Sequence, residues 1–142
     1  MSKALNYLGL ARKSGGIETG EDNSASLVKA GKAKTLIVAS DTSDSAKRRA
    51  EGYVFETNTV LVEVPFTKLE IAGITGKVGC SMAAITDLGL AAAFVKALNA
   101  ECDGKYSEAQ QKLSEAQQRA EKRKAAKGSG RSSKTGNRRK SV

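Results

Sequence analysis

The sequence has no histidine and no tryptophan. Without histidine there is no Ser-His-Asp or Cys-His dyad, no imidazole proton transfer and no common His-containing zinc site. Aromatics are scarce, at three tyrosines and three phenylalanines in 142 residues. So few do not supply a sheet with a row of base-stacking rings, as in the RRM module. The two cysteines, Cys80 and Cys102, match no zinc framework in number or spacing. The N-terminus starts an amphipathic pattern and not a signal peptide, so both are read as reduced thiols. No apolar run approaches the ~18 residues of a membrane span. The expectation is a soluble, cytoplasmic protein with no membrane partner.

What is abundant is positive charge. Lysine and arginine total 24 against 15 aspartates and glutamates, a net charge of +9. That excess favours a polyanionic partner. It is also uneven. Residues 1–100 carry 12 basic and 10 acidic side chains, and residues 101–142 carry 12 and 5. From Lys122 onward there are nine basic residues and no acidic one. Nearly all the Leu, Ile, Val and Phe lie in the first hundred residues, which predicts a folded domain over 1–100 with a basic appendage.

The appendage divides again. Ser107-Glu108-Ala109-Gln110-Gln111 recurs as Ser114-Glu115-Ala116-Gln117-Gln118, a seven-residue repeat. Ser107 with Gln110 fits a capping box, and Glu108–Lys112 and Glu115–Arg119 are i,i+4 pairs in the favourable order. Tyr106, Leu113 and Ala120 lie seven apart, a seam thin for a coiled coil, so a mostly solvated basic helix is expected over 101–127. Residues 128–142 have no apolar side chain before Val142 and are expected to be disordered.

Within the first hundred residues, short apolar runs alternate with helical patterns. Residues 3–13 predict a helix, stopped by Ser14-Gly15-Gly16. Ile17–Thr19 is a short extended piece, and a helix runs from Glu21 to Ala30. Thr35–Ala39 and Val60–Val64 read as buried strands, with a basic helix between them that ends at Gly52. A short helix covers Lys68–Ala72, a glycine-rich loop Gly73–Cys80, a strand Ser81–Thr86, and a last helix runs from Asp87 to Leu98. This order predicts an α/β fold: a three-layer α/β/α sandwich on a short four-stranded sheet.

The loops carry little catalytic chemistry. Gly73-Ile74-Thr75-Gly76-Lys77 has two residues between its glycines where a phosphate loop needs four, and Val78 follows the lysine. Asp41, Asp44 and Asp87 read as helix caps. No cofactor, metal or enzymatic activity is expected. Gly20-Glu21-Asp22-Asn23 opens a helix, where carboxylates complement the helix dipole. The same carboxylates and the Asn23 amide could also accept and donate at base edges.

At these residues the chain resembles the kink-turn RNA-binding ribosomal proteins of the L-seven-Ae and L-thirty-e type, and within them a bacterial YlxQ-like branch. The resemblance is carried by Leu8-Gly9-Leu10-Ala11-Arg12-Lys13-Ser14-Gly15, Thr19-Gly20-Glu21-Asp22 and Gly31-Lys32-Ala33-Lys34. It continues through Leu36-Ile37-Val38-Ala39-Ser40-Asp41, Gly76-Lys77 and Ala84-Ile85-Thr86-Asp87 with Gly89, in order over about residues 3–98. It implies the sandwich already read from the pattern. It also implies a non-enzymatic, ribosomal or ribosome-associated RNA-binding protein that recognises a sharply bent RNA with sheared G·A pairs beside a bulge. The implied contacts are Gly20, Glu21, Asp22, Asn23 and Ser26 at one loop, and Gly76, Lys77, Val78, Gly79 and Cys80 at another. Many members have Gly-x-Asn-Glu at the first loop. Here acid and amide are roughly exchanged, and Ser26 stands where those members place a lysine.

Lys122, Arg123 and Lys124 begin the run expected to add sequence-independent phosphate contacts. Two rivals remain. One is a protein-interaction module on the same fold that engages a partner through the helix at 105–127. The other is a non-specific nucleic-acid binder driven by the tail.

Overall fold

The computed structural model describes residues 3–76 and 81–131, with side chains as far as residue 123. Its elements are α1 (Lys3–Ser14), β1 (Ile17–Thr19), α2 (Glu21–Lys29), β2 (Thr35–Val38) and α3 (Asp44–Val54). After these come β3 (Val60–Glu63), α4 (Lys68–Thr75), β4 (Met82–Ile85), α5 (Leu88–Glu101) and α6 (Ser107–Arg131). The expected alternation of helices and strands is present in order.

The sheet order is β1-β4-β2-β3. β2 and β3 are parallel, whereas β4 is antiparallel to both of its neighbours. Three strands therefore end at the edge where β4 begins. Strand side chains alternate between the two faces. Leu36, Val38, Met82 and Ala84 join Val28 of α2 and Ala46 and Ala50 of α3 in one cluster. Ile37, Ala39, Val62 and Ile85 join Leu8 of α1 and Phe94 and Leu98 of α5 in the other. These two clusters make the three layers.

Short-range polar groups start the helices. The Ser43 hydroxyl accepts from the Ala46 amide at 3.2 Å, and Asp87 Oδ1 accepts from the Leu90 amide at 3.0 Å. Thr67 and Glu70 form a reciprocal capping box at α4. Asp41 does not cap the helix that follows it. Its Oδ1 accepts from the Lys68 amide at 2.9 Å and so joins the loop after β2 to the start of α4.

The extents and surroundings of two elements are corrected as well. The glycine-rich loop does not begin at Gly73, because α4 continues to Thr75 and ends on Gly76, which is left-handed at φ 78°. Ile71, Ala72 and Thr75 form a buried face that carries the helix past the exposed Gly73.

The second correction concerns α6, which is mostly exposed as expected but is docked on the domain at its start. Tyr106 and Leu113 are 7% and 1% exposed and belong to the α1–α5 core cluster. Burying a leucine contributes about 1.5–3 kcal/mol. The expected Ser107–Gln110 capping box is absent, since the Ser107 hydroxyl donates to the Gly104 carbonyl at 2.8 Å and Gln110 turns to α5. Asn99 Oδ1 accepts from the Tyr106 amide at 2.9 Å, and Asn99 Nδ2 donates to Gln110 Oε1 at 2.7 Å. Of the two i,i+4 pairs, Glu108–Lys112 closes at 3.2 Å and Glu115–Arg119 does not close among the described residues. The helix backbone reaches Arg131, past Gly128 where the sequence pattern ends it. The rest of the expected disordered tail lies outside the described residues. No helix among the described residues is long and apolar enough to cross a membrane.

Candidate nucleic-acid interface

The antiparallel β4 brings the loop that opens α2 beside the residues that enter β4. Gly20 follows β1, and its amide donates to the Met82 carbonyl at 2.9 Å, at the start of β4. The residue before, Ser81, accepts from the Ala39 amide at 3.0 Å and from the Thr42 hydroxyl at 3.4 Å. The start of α2, the loop after β2 and the approach to β4 thus meet at one end of the sheet. Lys77, Val78, Gly79 and Cys80 lie outside the described residues, so of the second loop only Gly76 is placed.

Gly20 precedes α2 at φ 101° and ψ 146°, a region that glycine alone occupies readily. It supplies no side-chain cap. Asp22 and Asn23 are exposed in the first turn. Asn23 Nδ2 donates to the Thr19 carbonyl at 3.2 Å, which leaves its Oδ1 as an acceptor at the loop surface. Ser26 is exposed one turn further along α2.

Glu21 has a different task. Arg49 of α3 grips its carboxylate in a bidentate pair, Nε to Oε2 at 2.6 Å and Nη2 to Oε1 at 3.0 Å. The Tyr53 hydroxyl donates to the same Oε2 at 2.5 Å. The hydrogen bonds from Arg49, and then from Tyr53, hold the carboxyl down to about 2 from an ordinary 4.5. α3 thus supplies three donors to the carboxylate, which braces the start of α2. Arg49 and Tyr53 could not be picked out from the sequence. The only local signal is the helical spacing of four between them, and nothing local pairs them with a glutamate 28 residues earlier.

Gly76 is held in a similar way. Arg12 Nη1 donates to the Ile74 carbonyl at 3.0 Å, at the carboxyl end of α4 where a cation complements the helix dipole. A Cβ on Gly76 would come within 2.9 Å of Arg12 Nη2. Arg12 therefore fixes the point from which the second loop departs.

The remaining predicted residues are elsewhere. Lys122 and Arg123 are exposed on α6. Arg123 lines a groove with Gly31, Lys34 and Thr57 to Val60, at the end of the sheet where β2 and β3 begin. The side chain of Lys124 lies outside the described residues. The structure thus groups Gly20 to Asn23 with Ser81, and separates them from the α6 cations by the length of the sheet.

No protein-family model matches the chain, and no curated protein matches it in sequence. Among solved structures it is similar to a Bacillus halodurans C protein of unknown function, with a TM-score of 0.65 and 21% identity, over 70% of this chain and 99% of that one. It is also similar to the Giardia lamblia 15.5kD RNA binding protein, with a TM-score of 0.52 and 19% identity, over 68% of this chain and 84% of that one. Identities this low define a shared fold: this chain has an α/β fold of the kind seen in that RNA-binding protein.

Proposed function

We propose that this protein is a non-enzymatic RNA-binding protein that recognises a bent, kink-turn-like element in ribosomal or other structured RNA. The observation that carries the reading is the Gly20–Met82 hydrogen bond. It sets the loop opening α2 beside the approach to β4, and RNA with an irregular, opened groove is readable by side chains presented there. The likeness of fold to the Giardia RNA-binding protein supports the same class of ligand. Asp22 and the free acceptor of Asn23 are the base-edge readers, because Glu21 is engaged by Arg49 and Tyr53. Gly76 to Cys80 cover the bulged nucleotides, and the cations from Lys122 onward add phosphate contacts.

The test uses the full chain, a kink-turn RNA, and the same RNA with its G·A pairs replaced by Watson–Crick pairs. A preference for the intact motif of tenfold or more, about 1.4 kcal/mol, is expected. Asp22→Ala with Asn23→Ala should remove most of that preference. Equal binding of both RNAs with a steep salt dependence would replace this reading with the non-specific, tail-driven one.

A further inference from the structure

A second feature lies at the far end of the sheet. A groove of about 710 Å³ runs between α6 and the surface formed by the end of α2 and the first residues of β2 and β3. Lys29 and Lys34 line it from one side, and Lys112, Arg119 and Arg123 from the other, with Glu115 as the one acidic lining residue. Lys112 is paired with Glu108 at 3.2 Å. Among the described residues the other ion pairs are Lys47–Glu63 and Arg49–Glu21, so Lys29, Lys34, Arg119 and Arg123 carry unpaired charge.

This arrangement follows from how α6 docks. Tyr106 and Leu113 are buried and set the rotation of the helix. Lys112, Arg119 and Arg123 follow one another at i, i+7 and i+11, a single stripe at 3.6 residues per turn beside Leu113. The helix also holds Glu108, Glu115 and Glu121. A helix packed here only to cover apolar surface would be more stable with those acids turned to Lys29 and Lys34. It presents Glu115 together with Lys112, Arg119 and Arg123, so cations predominate on both sides of the groove and a bound polyanion would relieve their repulsion.

We infer that this groove is a second phosphate-binding surface, which grips the RNA backbone at the opposite end of the sheet from the Gly20–Asn23 loop. It draws on the RNA reading above for the class of ligand and not for its location. Two opposed rows of cations suit the repeating charge of a phosphodiester chain, and arginine forks match phosphate oxygens in pairs. Such contacts are independent of base sequence. They strengthen any RNA with a duplex arm that reaches the groove, and they leave discrimination to the loop.

The test compares the full chain with K34Q/R119Q and with a control of equal charge, K3Q/K96Q, on the α1–α5 face. The probes are a kink-turn RNA with duplex arms and an unbent RNA duplex of the same length, each titrated across a salt series. Each phosphate that is no longer neutralised should flatten the slope of log K against log salt by roughly 0.7–0.9. For K34Q/R119Q the drop in affinity over a fourfold rise in salt then shrinks by about tenfold relative to the parent chain. Both probes should weaken, and the preference between them should stay. Equal effects of the two double variants would overturn the inference. So would an unaltered RNA affinity in K34Q/R119Q together with abolished binding to polyglutamate, which would assign the groove to an acidic protein. A parent chain that does not discriminate between the probes, but whose slope still flattens in K34Q/R119Q alone, sinks the kink-turn reading and keeps the groove. Failure to bind either probe at about 50 mM salt, where electrostatic binding is strongest, sinks both.

Discussion

The Tyr106 hydroxyl donates to the main-chain carbonyl of Glu63 at 2.7 Å and ties the start of α6 to β3. Seven residues on, Leu113 closes the same junction from within the core. The fold therefore extends past residue 100, and a chain cut there would expose the surface that these two side chains cover. For this reason binding experiments belong to the full chain.

Leu113→Ala should destabilise the protein by about 2–5 kcal/mol, read as a lower midpoint in urea. Tyr106→Phe should cost about 0.5–1.5 kcal/mol through the unpaired Glu63 carbonyl. Burial first, then Cys102 and Glu63 nearby, push the Tyr106 phenol up to about 12 from an ordinary 10. A raised folded-state value means its contribution is whole below pH 10 and is lost as pH rises from 10 towards 12. Over that window Tyr106→Phe should lose less stability than the parent chain. Identical alkaline losses would refute the assignment.

The Glu21 carboxyl should titrate near 2 by carbonyl NMR. Its folded-state value lies below the ordinary 4.5, so its contribution to stability is present above pH 4.5 and is lost as pH falls towards 2. Arg49→Gln should move the midpoint back towards 4.5 and reduce the acid loss in that window. A midpoint unmoved by Arg49→Gln would mean that the pair does not form in solution.

Gly20→Ala should destabilise by about 1–3 kcal/mol, because its left-handed backbone strains any side chain. No atom lies within 4 Å of the added methyl, so the cost is conformational and not steric. Gly52, inside α3 and also with open space, is the contrast. Gly52→Ala should stabilise by about 0.5–1 kcal/mol. Thermal melts of the two variants should therefore shift in opposite directions.

Ser26→Lys places a cation one turn along α2 from the exposed Asp22 and Asn23. It should tighten binding to the kink-turn RNA and steepen the salt dependence by roughly 0.7–0.9, the increment for one more neutralised phosphate. If Ser26 faces away from bound RNA, both quantities stay put in filter-binding titrations.

The sandwich was legible in the sequence because its signals are local. β-branched runs such as Thr35–Val38 alternate with capped helices, and both periods can be counted along the chain. The choice between Gly73 and Gly76 as the end of α4 was less legible, since it depends on which helix face is buried. The docking of α6 was hidden for a related reason. Its composition is that of a solvated helix, which most of it is, and Tyr106 and Leu113 dock it by reaching a core made from distant elements. The brace on Glu21 was not legible at all, because its partners stand 28 and 32 residues away on another helix. At the candidate site the loop was therefore visible in the sequence, and the division of labour within it was not.

The placement of α6 against β3 has one more effect. An exposed outer strand invites another chain to extend the sheet, by strand addition or by aggregation. Here β1, at one margin, offers only the three residues Ile17–Thr19, and β3, at the other, has α6 packed against it. Growth of the sheet across copies is thereby discouraged at both margins. Partners are left with loops and helix surfaces to recognise.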